Sequence, residues 1–336
     1  MKPILQYLIG AAAVVIIITG MKAGAGMLNQ ILIALLLSMC IIPLPNWLIK
    51  KGVPRWLAIV ISLVVILIGG FGFSALVAKS ISDVVDSLPK YEEKVTLFYS
   101  EFLDFAASNN LDIADMLKKA KIGPENIIGA GKAIVNILTG FISASFVISL
   151  LIAFMVIELV TYSDRTKKGK MDEITAMSWI HSLGGDLRKY VNITALGGVI
   201  TAVLNYFLLL ILGVDFPFLW AVLSFLLNFV PNIGFIISFI PPALLALVDL
   251  GVTQSLVVFG GFWLINALVE NVFRPIFMKE SLNISLLTTF LSLLFWGWVL
   301  GLPGAILGVP LTLVVIKIYN QFNGKGEKDT EILKKD

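Results

Sequence analysis

The stretch Asn228–Pro242, "NFVPNIGFIISFIPP", decides the fold, because it places three prolines, two asparagines and a glycine in very apolar sequence. Proline lacks a backbone N–H and clashes with the preceding helical turn, and glycine permits backbone angles that other residues resist. In hydrocarbon, a broken helix persists only where protein or water covers its unpaired backbone groups. We therefore predict a helical hairpin or a discontinuous helix facing a cavity, with breaks at Pro231, Gly234, Pro241 and Pro242.

Composition indicates the same environment for the rest of the chain. Of its 336 residues, 58% are hydrophobic and 14% are charged, whereas a soluble domain averages about 25% charged residues. The chain is therefore predicted to be all-α, a polytopic transmembrane helix bundle whose main partner is membrane lipid. Its net charge of +3 is too small and too scattered to indicate nucleic-acid binding.

Apolar runs of the length that a spanning helix needs, about 20 residues, recur along the chain. The predicted spans are 4–21, 27–44, 56–78, 134–160 and 191–212, and 216–319 is almost continuously apolar. The first run follows a lysine but shows no small-residue cleavage site, so we interpret it as a retained span. The chain then divides into N-terminal transmembrane helices (1–78), an amphipathic helical insertion (79–132), a transmembrane helix (133–160), a polar loop (161–190), a transport core with broken helices (191–320) and a tail (321–336).

The distribution of lysine and arginine predicts the orientation. A short basic loop surrounds Lys50, Lys51 and Arg55, and the loop at 161–190 carries six basic residues against four acidic ones. Basic loops tend to stay in the cytoplasm. We therefore predict that both termini are cytoplasmic and that the insertion at 79–132 faces outward.

Within the insertion, apolar residues recur at steps of three and four, which predicts one stripe along an amphipathic helix: Leu88, Tyr91, Val95, Phe98, Phe102 and Phe105. Pro89 suits the first turn of this helix, and Asn109-Asn110 suits its end. The stripe has two interpretations. It packs on the membrane surface or on the protein's own bundle, or it contacts a second subunit in a homo-oligomer.

A second interrupted element is Phe295–Val315, "FWGWVLGLPGAILGVPLTLVV". Its apolar sequence is divided into two short halves by Gly301, Pro303, Gly304, Gly308 and Pro310. In secondary transporters, paired Gly/Pro-interrupted segments indicate a binding site near the middle of the membrane. The alternative is a set of ordinary kinked helices or tight loops between short spans.

Between the two elements, Glu270 and Arg274 are four residues apart, a spacing that allows an ion pair on one helix face. Asn266 lies one turn before Glu270, and Asn271 lies beside it. Charges deep in a bilayer are usually paired or face water. These residues line a substrate path, with Glu270 as a proton or cation carrier, or the helix simply ends near Arg274 and Pro275 at the cytoplasmic interface.

The sequence argues against an enzyme. One cysteine, Cys40, and one histidine, His181, cannot build a disulfide framework or a typical Cys/His metal site. The chain contains no Walker A, HExxH or G-x-S-x-G motif. We predict no enzymatic activity, no cofactor and no metal. The more serious alternatives to a transporter are a passive channel and a membrane scaffold.

Three stretches closely resemble signature regions of the bacterial autoinducer-2 exporter family: "LLNFVPNIGFIISFIPPALLAL", "NVFRPIFM" and "FLSLLFWGWVLGLPGAILGVPLTLVVIKI". The resemblance is most specific over residues 216–318. It implies a multi-pass transporter of the bacterial cytoplasmic membrane. Members of this family are linked to export of the furanosyl signal autoinducer-2, and others to exchange of sodium or lithium for protons.

The chain departs from the family pattern beside its Asn-x-x-x-Pro segment. There the pattern often places an acidic residue before the proline and a glycine soon after it. Arg274 and Lys279 occupy that neighbourhood here, and the acid is Glu270. The exchange of an acid for a base weakens the cation-exchange interpretation, although one titratable carboxylate remains.

The chemistry of the two candidate cargoes differs. A small, hydroxyl-rich, nearly neutral solute needs amides and aromatic surface more than charge, which fits Asn228, Asn232, Asn271, Trp296 and Trp298. A sodium/proton antiporter needs a carboxylate within the membrane, for which Glu270 is the candidate. We therefore predict export of a small polar solute, driven by an ion gradient or downhill, with sodium (lithium)/proton antiport as the alternative.

Overall fold

The computed structural model describes residues 3–109, 116–117, 119, 123–167, 174–231, 233–277 and 285–322. Within these residues every regular element is helical, which confirms the all-α prediction. The helices are α1 (Pro3–Ala23), α2 (Ala25–Ile41), α3 (Pro43–Lys50), α4 (Arg55–Ser108), α5 (Pro124–Lys167), α6 (Ile174–Leu212), α7 (Pro217–Leu227), α8 (Ile233–Leu250), α9 (Val252–Leu268), a π-helical turn (Val269–Phe273), α10 (Arg274–Phe277), α11 (Leu286–Leu300) and α12 (Leu302–Phe322).

The lengths of these helices confirm a polytopic membrane protein. Seven helices in the described part of the chain are long and apolar enough to cross a bilayer. Helix α7, with 11 residues, is apolar but short. At 1.5 Å per residue it covers about 16 Å, roughly half of a hydrocarbon core of about 30 Å. It therefore reaches only partway across.

Helix α4 corrects the predicted start of the amphipathic segment. It runs without interruption for 54 residues and has Pro89 in its interior, so the prediction that a new helix begins at Pro89 was wrong. Proline removes the hydrogen bond to the carbonyl four residues earlier, here that of Val85. The predicted end is confirmed, since α4 stops at Ser108 and the side-chain amide of Asn109 donates to the Phe105 carbonyl at 2.8 Å.

The predicted polar loop at 161–190 is largely helical instead. Helix α5 continues to Lys167 and α6 begins at Ile174, because an apolar run does not limit how far a helix extends beyond it. His181 lies in α6, and its side chain is outside the described part of the structure. At the C-terminal end, α12 continues to Phe322, and the rest of the predicted tail lies outside the described residues.

The break predicted at Pro231 in the opening stretch is confirmed, whereas the breaks predicted at Pro241 and Pro242 were wrong. The chain turns between α7 and α8, and these two helices pack as a hairpin. Pro241 and Pro242 do not break the helix, because both lie inside α8. Proline has a helical φ angle and costs mainly the bond to one earlier carbonyl. Packing of α8 against α7 and α9 supports the helix through both prolines.

The second interrupted element is also a helical hairpin, formed by α11 and α12. The break is at Gly301, whose φ angle of +73° suits glycine. Pro303 is the second residue of α12, where its missing N–H costs little, and Pro310 lies inside the helix. The prediction of two short halves was wrong for the second half, since α12 has 21 residues and can span a membrane.

The chain forms two compact units, to both of which α4, α5 and α6 contribute. The first comprises Met1–Ile66, Val147–Thr194 and Met278–Asp336, and the second comprises Leu67–Phe146 and Ala195–Phe277. In the first, α1 and α2 pack on Trp296, Val299 and Leu300. In the second, the most deeply buried core residues include Leu138, Leu209, Leu219, Val258 and Phe262.

The amphipathic stripe of α4 divides between two environments. Tyr91 and Val95 are 7% and 9% exposed and pack within the second unit, as expected for contact with the protein's own bundle. Phe102 and Phe105 are 39% and 63% exposed. Contact with a second subunit, the other interpretation of the stripe, remains a prediction for Phe102 and Phe105.

A charged cluster ties α4 to the ends of two other helices in the second unit. The Tyr91 hydroxyl lies 2.5 Å from Oδ2 of Asp215 and 2.7 Å from Oδ2 of Asp249. Lys94 forms an ion pair with Asp249, and Lys90 lies 3.8 Å from Asp215. The cluster therefore holds α4 beside the start of α7 and the end of α8.

We expect Tyr91→Phe to lower the free energy of unfolding by about 1–3 kcal/mol, because two neighbouring carboxylates lose their shared donor. Thermal unfolding of the detergent-purified protein measures the change. Tyr99→Phe is the matched control, since it removes the same hydroxyl from the same helix outside this cluster. Equal melting temperatures for the two variants would contradict the role given to Tyr91.

Candidate functional site

A group of polar side chains lies inside the second unit where α6, α7, α8 and α9 meet. We call it the polar cluster. Its members are Thr201, Asn205, Ser224, Asn228, Ser238 and Asn266, with Phe235 and Phe262 as apolar walls. They enclose a cavity of about 10 Å³, which has room for about one water molecule.

On α6 and on α7, helical spacing places the members of the polar cluster on one face of the helix. Thr201 and Asn205 are four residues apart on α6, and Ser224 and Asn228 are four apart at the end of α7, so each pair lies on one face. The side-chain amide of Asn205 donates to Oγ of Ser224 at 3.1 Å. Asn205 is 1% exposed. This bond joins the two faces inside the unit.

Two oxygen atoms of the polar cluster lack a hydrogen-bond partner among the described residues. Among the described residues, Oδ1 of Asn205 and Oγ of Thr201 are buried without a hydrogen-bond partner. A buried unsatisfied polar atom costs about 1–3 kcal/mol. Any donor that enters the cavity, from water or from a solute hydroxyl, is therefore stabilised there.

Arg274 links the polar cluster to the end of α9. Its Nη2 donates to the carbonyl of Asn228 at 3.0 Å, and its Nη1 lies 3.0 Å from Oε2 of Glu270. The last carbonyls of a helix lack intrahelical donors, and a cation near them is favourable. Arg274 thus caps the C-terminal end of α7. Glu270, four residues earlier, neutralises the charge of Arg274 through the ion pair that the sequence predicted.

We expect Arg274→Lys to lower stability by about 1–2 kcal/mol, because a lysine ammonium is a point charge and cannot reproduce a guanidinium that serves two partners. Urea or thermal unfolding measures the loss, and Arg274→Gln should lose more because it also leaves Glu270 unpaired. Unchanged stability in both variants would show that the cap on α7 is dispensable.

The backbone around Glu270 is unusual. Residues Val269–Phe273 form a π-helical turn, and the backbone N–H of Arg274 donates to the carbonyl of Val269, five residues earlier. Such turns are rare and occur frequently at functional sites. Pro275 lies inside α10, which extends two residues further to Phe277, and the alternative that the helix ends in this neighbourhood stays a prediction.

Two adjacent glycines let α6 approach this region. A Cβ atom on Gly198 would lie 3.1 Å from Phe225 and 3.2 Å from Nδ2 of Asn228. One on Gly197 would lie 3.3 Å from Val269. All three distances are tighter than ordinary contact, so larger residues here would push α6 away from the end of α7 and from the π-helical turn.

The other residues predicted in the opening stretch have different surroundings. Gly234 is buried against the backbone of Leu227 and closes the α7–α8 hairpin rather than lining the polar cluster. Pro231 lies in the turn, Pro241 lines a separate apolar cavity, and Pro242 is buried. Asn232, which the sequence analysis placed in the site, lies outside the described residues.

Asn271 and the two tryptophans also differ in their surroundings from the polar cluster. Asn271 is exposed, and its amide donates to the Ala267 carbonyl of its own helix at 3.0 Å. Trp296 and Trp298 belong to the first unit. Nε1 of Trp296 donates to Thr312 at 3.0 Å, and Trp298 is 61% exposed. None of these three residues lines the polar cluster.

The glycine and prolines of the second hairpin serve its packing within the first unit. A Cβ atom on Gly304 would lie 2.1 Å from the carbonyl oxygen of Trp296, so glycine is needed for α11 and α12 to approach each other. Pro303 is half-buried and Pro310 is buried in α12. These three residues therefore hold the hairpin together. Their part in a transport path remains a prediction.

Sequence reasoning identified Asn228 and Asn266 and missed four members of the polar cluster, namely Thr201, Asn205, Ser224 and Ser238. A signal was present, because polar residues recur at helical spacing in otherwise apolar helices. Single serines and threonines are common in membrane helices, however, and satisfy themselves on their own backbone. Ser224 does this with the Trp220 carbonyl at 2.9 Å.

Comparison with known proteins agrees with a membrane transporter. The model of the AI-2E family transporter matches residues 11–324. The chain belongs to this family. Its relatives include a Haemophilus influenzae protein (31% identity, 92% of this chain and 91% of the relative), YhhT of Escherichia coli K12 (30%, 96% and 93%) and the AI-2 transport protein TqsA of the same organism (28%, 93% and 90%).

Membership of the AI-2E family confirms the resemblance seen in the sequence, and with the seven apolar helices it establishes an integral membrane transporter. The match extends over nearly the whole chain, so both compact units are parts of the family's common structure. The polar cluster lies within the matched residues.

Proposed function

We propose that this AI-2E family transporter exports a small, uncharged, hydroxyl-rich solute of the autoinducer-2 type along a path through the polar cluster. The observation that carries the proposal is the convergence of six polar side chains from four helices in an apolar unit. Its unpartnered acceptors on Asn205 and Thr201 match the hydroxyl donors of such a solute. The name of the relative TqsA, an AI-2 transport protein, supports the same class of cargo.

The size of the cavity defines the step that transport requires. About 10 Å³ holds water and not a solute, so the helices around the polar cluster must separate during transport. The α7–α8 hairpin is the element to move, because α7 does not span the membrane and the turn that joins it to α8 carries Pro231. Glu270 and Arg274 would hold the hairpin in the closed state through the carbonyl of Asn228.

Solute export is favoured over sodium/proton antiport by the surroundings of Glu270. Its carboxylate lies 3.0 Å from Arg274, an ion pair that satisfies it within its own helix. A carboxylate that carries cations must exchange its partner in every cycle. The absence of a Walker A motif in the sequence leaves an ion gradient or downhill flow as the source of energy.

We further propose that the protein lies in the bacterial cytoplasmic membrane with both termini inside and the later part of α4 outside. Phe102 and Phe105, exposed at 39% and 63%, are the candidate residues for a homo-oligomer contact. Replacing both with serine should reduce the mass of the detergent-purified particle if they join subunits. An unchanged mass would remove this contact from the proposal.

The experiment that tests the function uses purified protein in liposomes loaded with autoinducer-2. We expect release above that of protein-free liposomes, and an increased rate when a proton gradient is imposed. Parallel liposomes report sodium movement with a fluorescent indicator. Sodium-coupled proton movement without release of autoinducer-2 would overturn solute export in favour of antiport.

A further inference from the structure

A second cavity, about 450 Å³ in volume, lies in the second unit between the amphipathic part of α4, the start of α5 and helix α8. We call it the apolar cavity. Its walls are carbon almost throughout and include Val95, Phe98, Ile128, Leu244 and Val248. Among the described residues that line it, Glu92 alone carries a charge. The apolar cavity therefore offers very few partners to water or to a hydroxyl-rich solute.

The apolar cavity is elongated. Its lining on α4 extends from Val84 to Phe102, which is roughly 27 Å at the helical rise of 1.5 Å per residue. The heptad residues Leu88, Tyr91 and Val95 of the stripe belong to this wall. A long, narrow space with hydrocarbon walls fits a flexible chain better than a compact molecule.

One side of the apolar cavity continues into exposed apolar surface. Ile240 and Val252, both in its lining, are 42% and 61% exposed. They adjoin Ile236 on α8 and Leu256 on α9, which are 50% and 64% exposed. In a membrane protein, apolar surface of this kind faces lipid, so acyl chains have access to the opening.

At another part of the wall, Glu92 forms an ion pair with a lysine that lies beside the apolar cavity. Glu92 lies 2.7 Å from Lys132 of α5, and their side chains are 44% and 51% exposed. The ammonium of Lys132 is complementary to a phosphate, and the carboxylate of Glu92 is complementary to an ethanolamine group. A zwitterionic headgroup therefore finds a partner for each of its charges beside the apolar cavity.

We propose that the apolar cavity binds an acyl chain of phosphatidylethanolamine, with the headgroup beside Glu92 and Lys132. The bound chain fills space that water does not occupy, and it supplies the contacts that an empty cavity forfeits. The amphipathic part of α4 is then held to α8 partly through lipid. This site is separate from the polar cluster, and it does not depend on which solute the protein transports.

The test uses the full-length protein in vesicles of phosphatidylethanolamine that contain a fraction of the same lipid with a diazirine in its acyl chain. After irradiation, mass spectrometry locates the attached lipid. We expect label on Val95 and Phe98, because Val95 is 9% exposed and bulk lipid reaches it poorly. Leu256, 64% exposed on α9, reports labelling by bulk lipid in the same sample.

Two glycine substitutions on α5 provide a matched comparison. Gly131 lines the apolar cavity, and Gly129 does not. A Cβ atom on either glycine would meet no heavy atom within 4 Å, so a side chain can begin at both positions without a clash. We expect Gly131→Leu to lose most of the label at Val95 and Phe98, with Leu256 unchanged, and Gly129→Leu to label as the unmodified protein does.

A second measurement needs no cavity-filling variant. Trp220 lines the apolar cavity and is 5% exposed, so phosphatidylethanolamine with brominated acyl chains should quench its emission, taken as the difference from Trp220→Phe. Equal labelling in Gly131→Leu and the unmodified protein would overturn the proposal. So would an absence of Trp220 quenching.

Discussion

A Gly234→Ala protein is expected to lose the closed α7–α8 hairpin and with it about 3 kcal/mol or more of stability, the upper range for overpacking. The added Cβ would lie 1.9 Å from the carbonyl oxygen of Leu227 and 2.7 Å from its carbonyl carbon. Both atoms are backbone, so no side-chain rotation relieves the contact. Thermal unfolding and size-exclusion profiles of the detergent-purified protein measure the loss.

The matched control for this prediction is Gly260→Ala in α9. A Cβ atom there would meet no heavy atom within 4 Å, and alanine is favourable in a helix, so the control should melt at or slightly above the temperature of the unmodified protein. A Gly234→Ala protein that is as stable as the control would refute the close approach of the hairpin. Loss of transport in a protein with a bulky residue at Gly234 would consequently report a packing defect of the hairpin and not a change in the solute path.

Asn205→Leu is expected to reduce autoinducer-2 transport by about tenfold or more, since a solute hydroxyl loses hydrogen bonds that contribute about 0.5–1.5 kcal/mol each. The protein should stay folded with a loss of about 0.5–1.5 kcal/mol, because leucine has a similar volume and the change removes one hydrogen bond, from the Asn205 amide to Ser224, together with an acceptor that has no partner in the described structure. Ser224 keeps its bond to the Trp220 carbonyl. Release from loaded liposomes, at matched amounts of reconstituted protein, measures the effect.

Asn136→Leu makes the same chemical change at an exposed asparagine of α5 and should leave transport close to that of the unmodified protein. If Asn205→Leu transports as well as Asn136→Leu does, the solute does not use the polar cluster. If both variants fail in the same way, the loss lies in reconstitution.

The elements of the fold could be predicted from hydropathy far better than their breaks could. The apolar runs predicted the spans, and the Gly/Pro-rich stretches predicted two hairpins. Pro89, Pro241, Pro242 and Pro310 nevertheless lie inside continuous helices. A proline costs a helix one hydrogen bond and a local clash, and neighbouring helices decide whether that cost is tolerated. Those neighbours are not apparent from local sequence.

The candidate site was only partly predictable for a related reason. Asn228 and Asn266 attract attention in any apolar sequence, whereas Ser238 bonds to the Phe235 carbonyl of its own helix at 2.9 Å and resembles an ordinary membrane serine. What distinguishes the polar cluster is convergence from four helices. That convergence depends on contacts such as Gly198 against Asn228, which belong to the tertiary structure.

The π-helical turn at Val269–Phe273 makes the length of this segment as important as its composition. The turn accommodates one residue more than a regular α-helix of the same rise. If the segment took regular α-helical geometry with every residue retained, each later side chain would rotate by about 100° relative to α9. Arg274 would then leave the carbonyl of Asn228. A related chain with a one-residue gap at this place in an alignment is therefore expected to have a regular α-helix here and to keep the orientation of its later side chains.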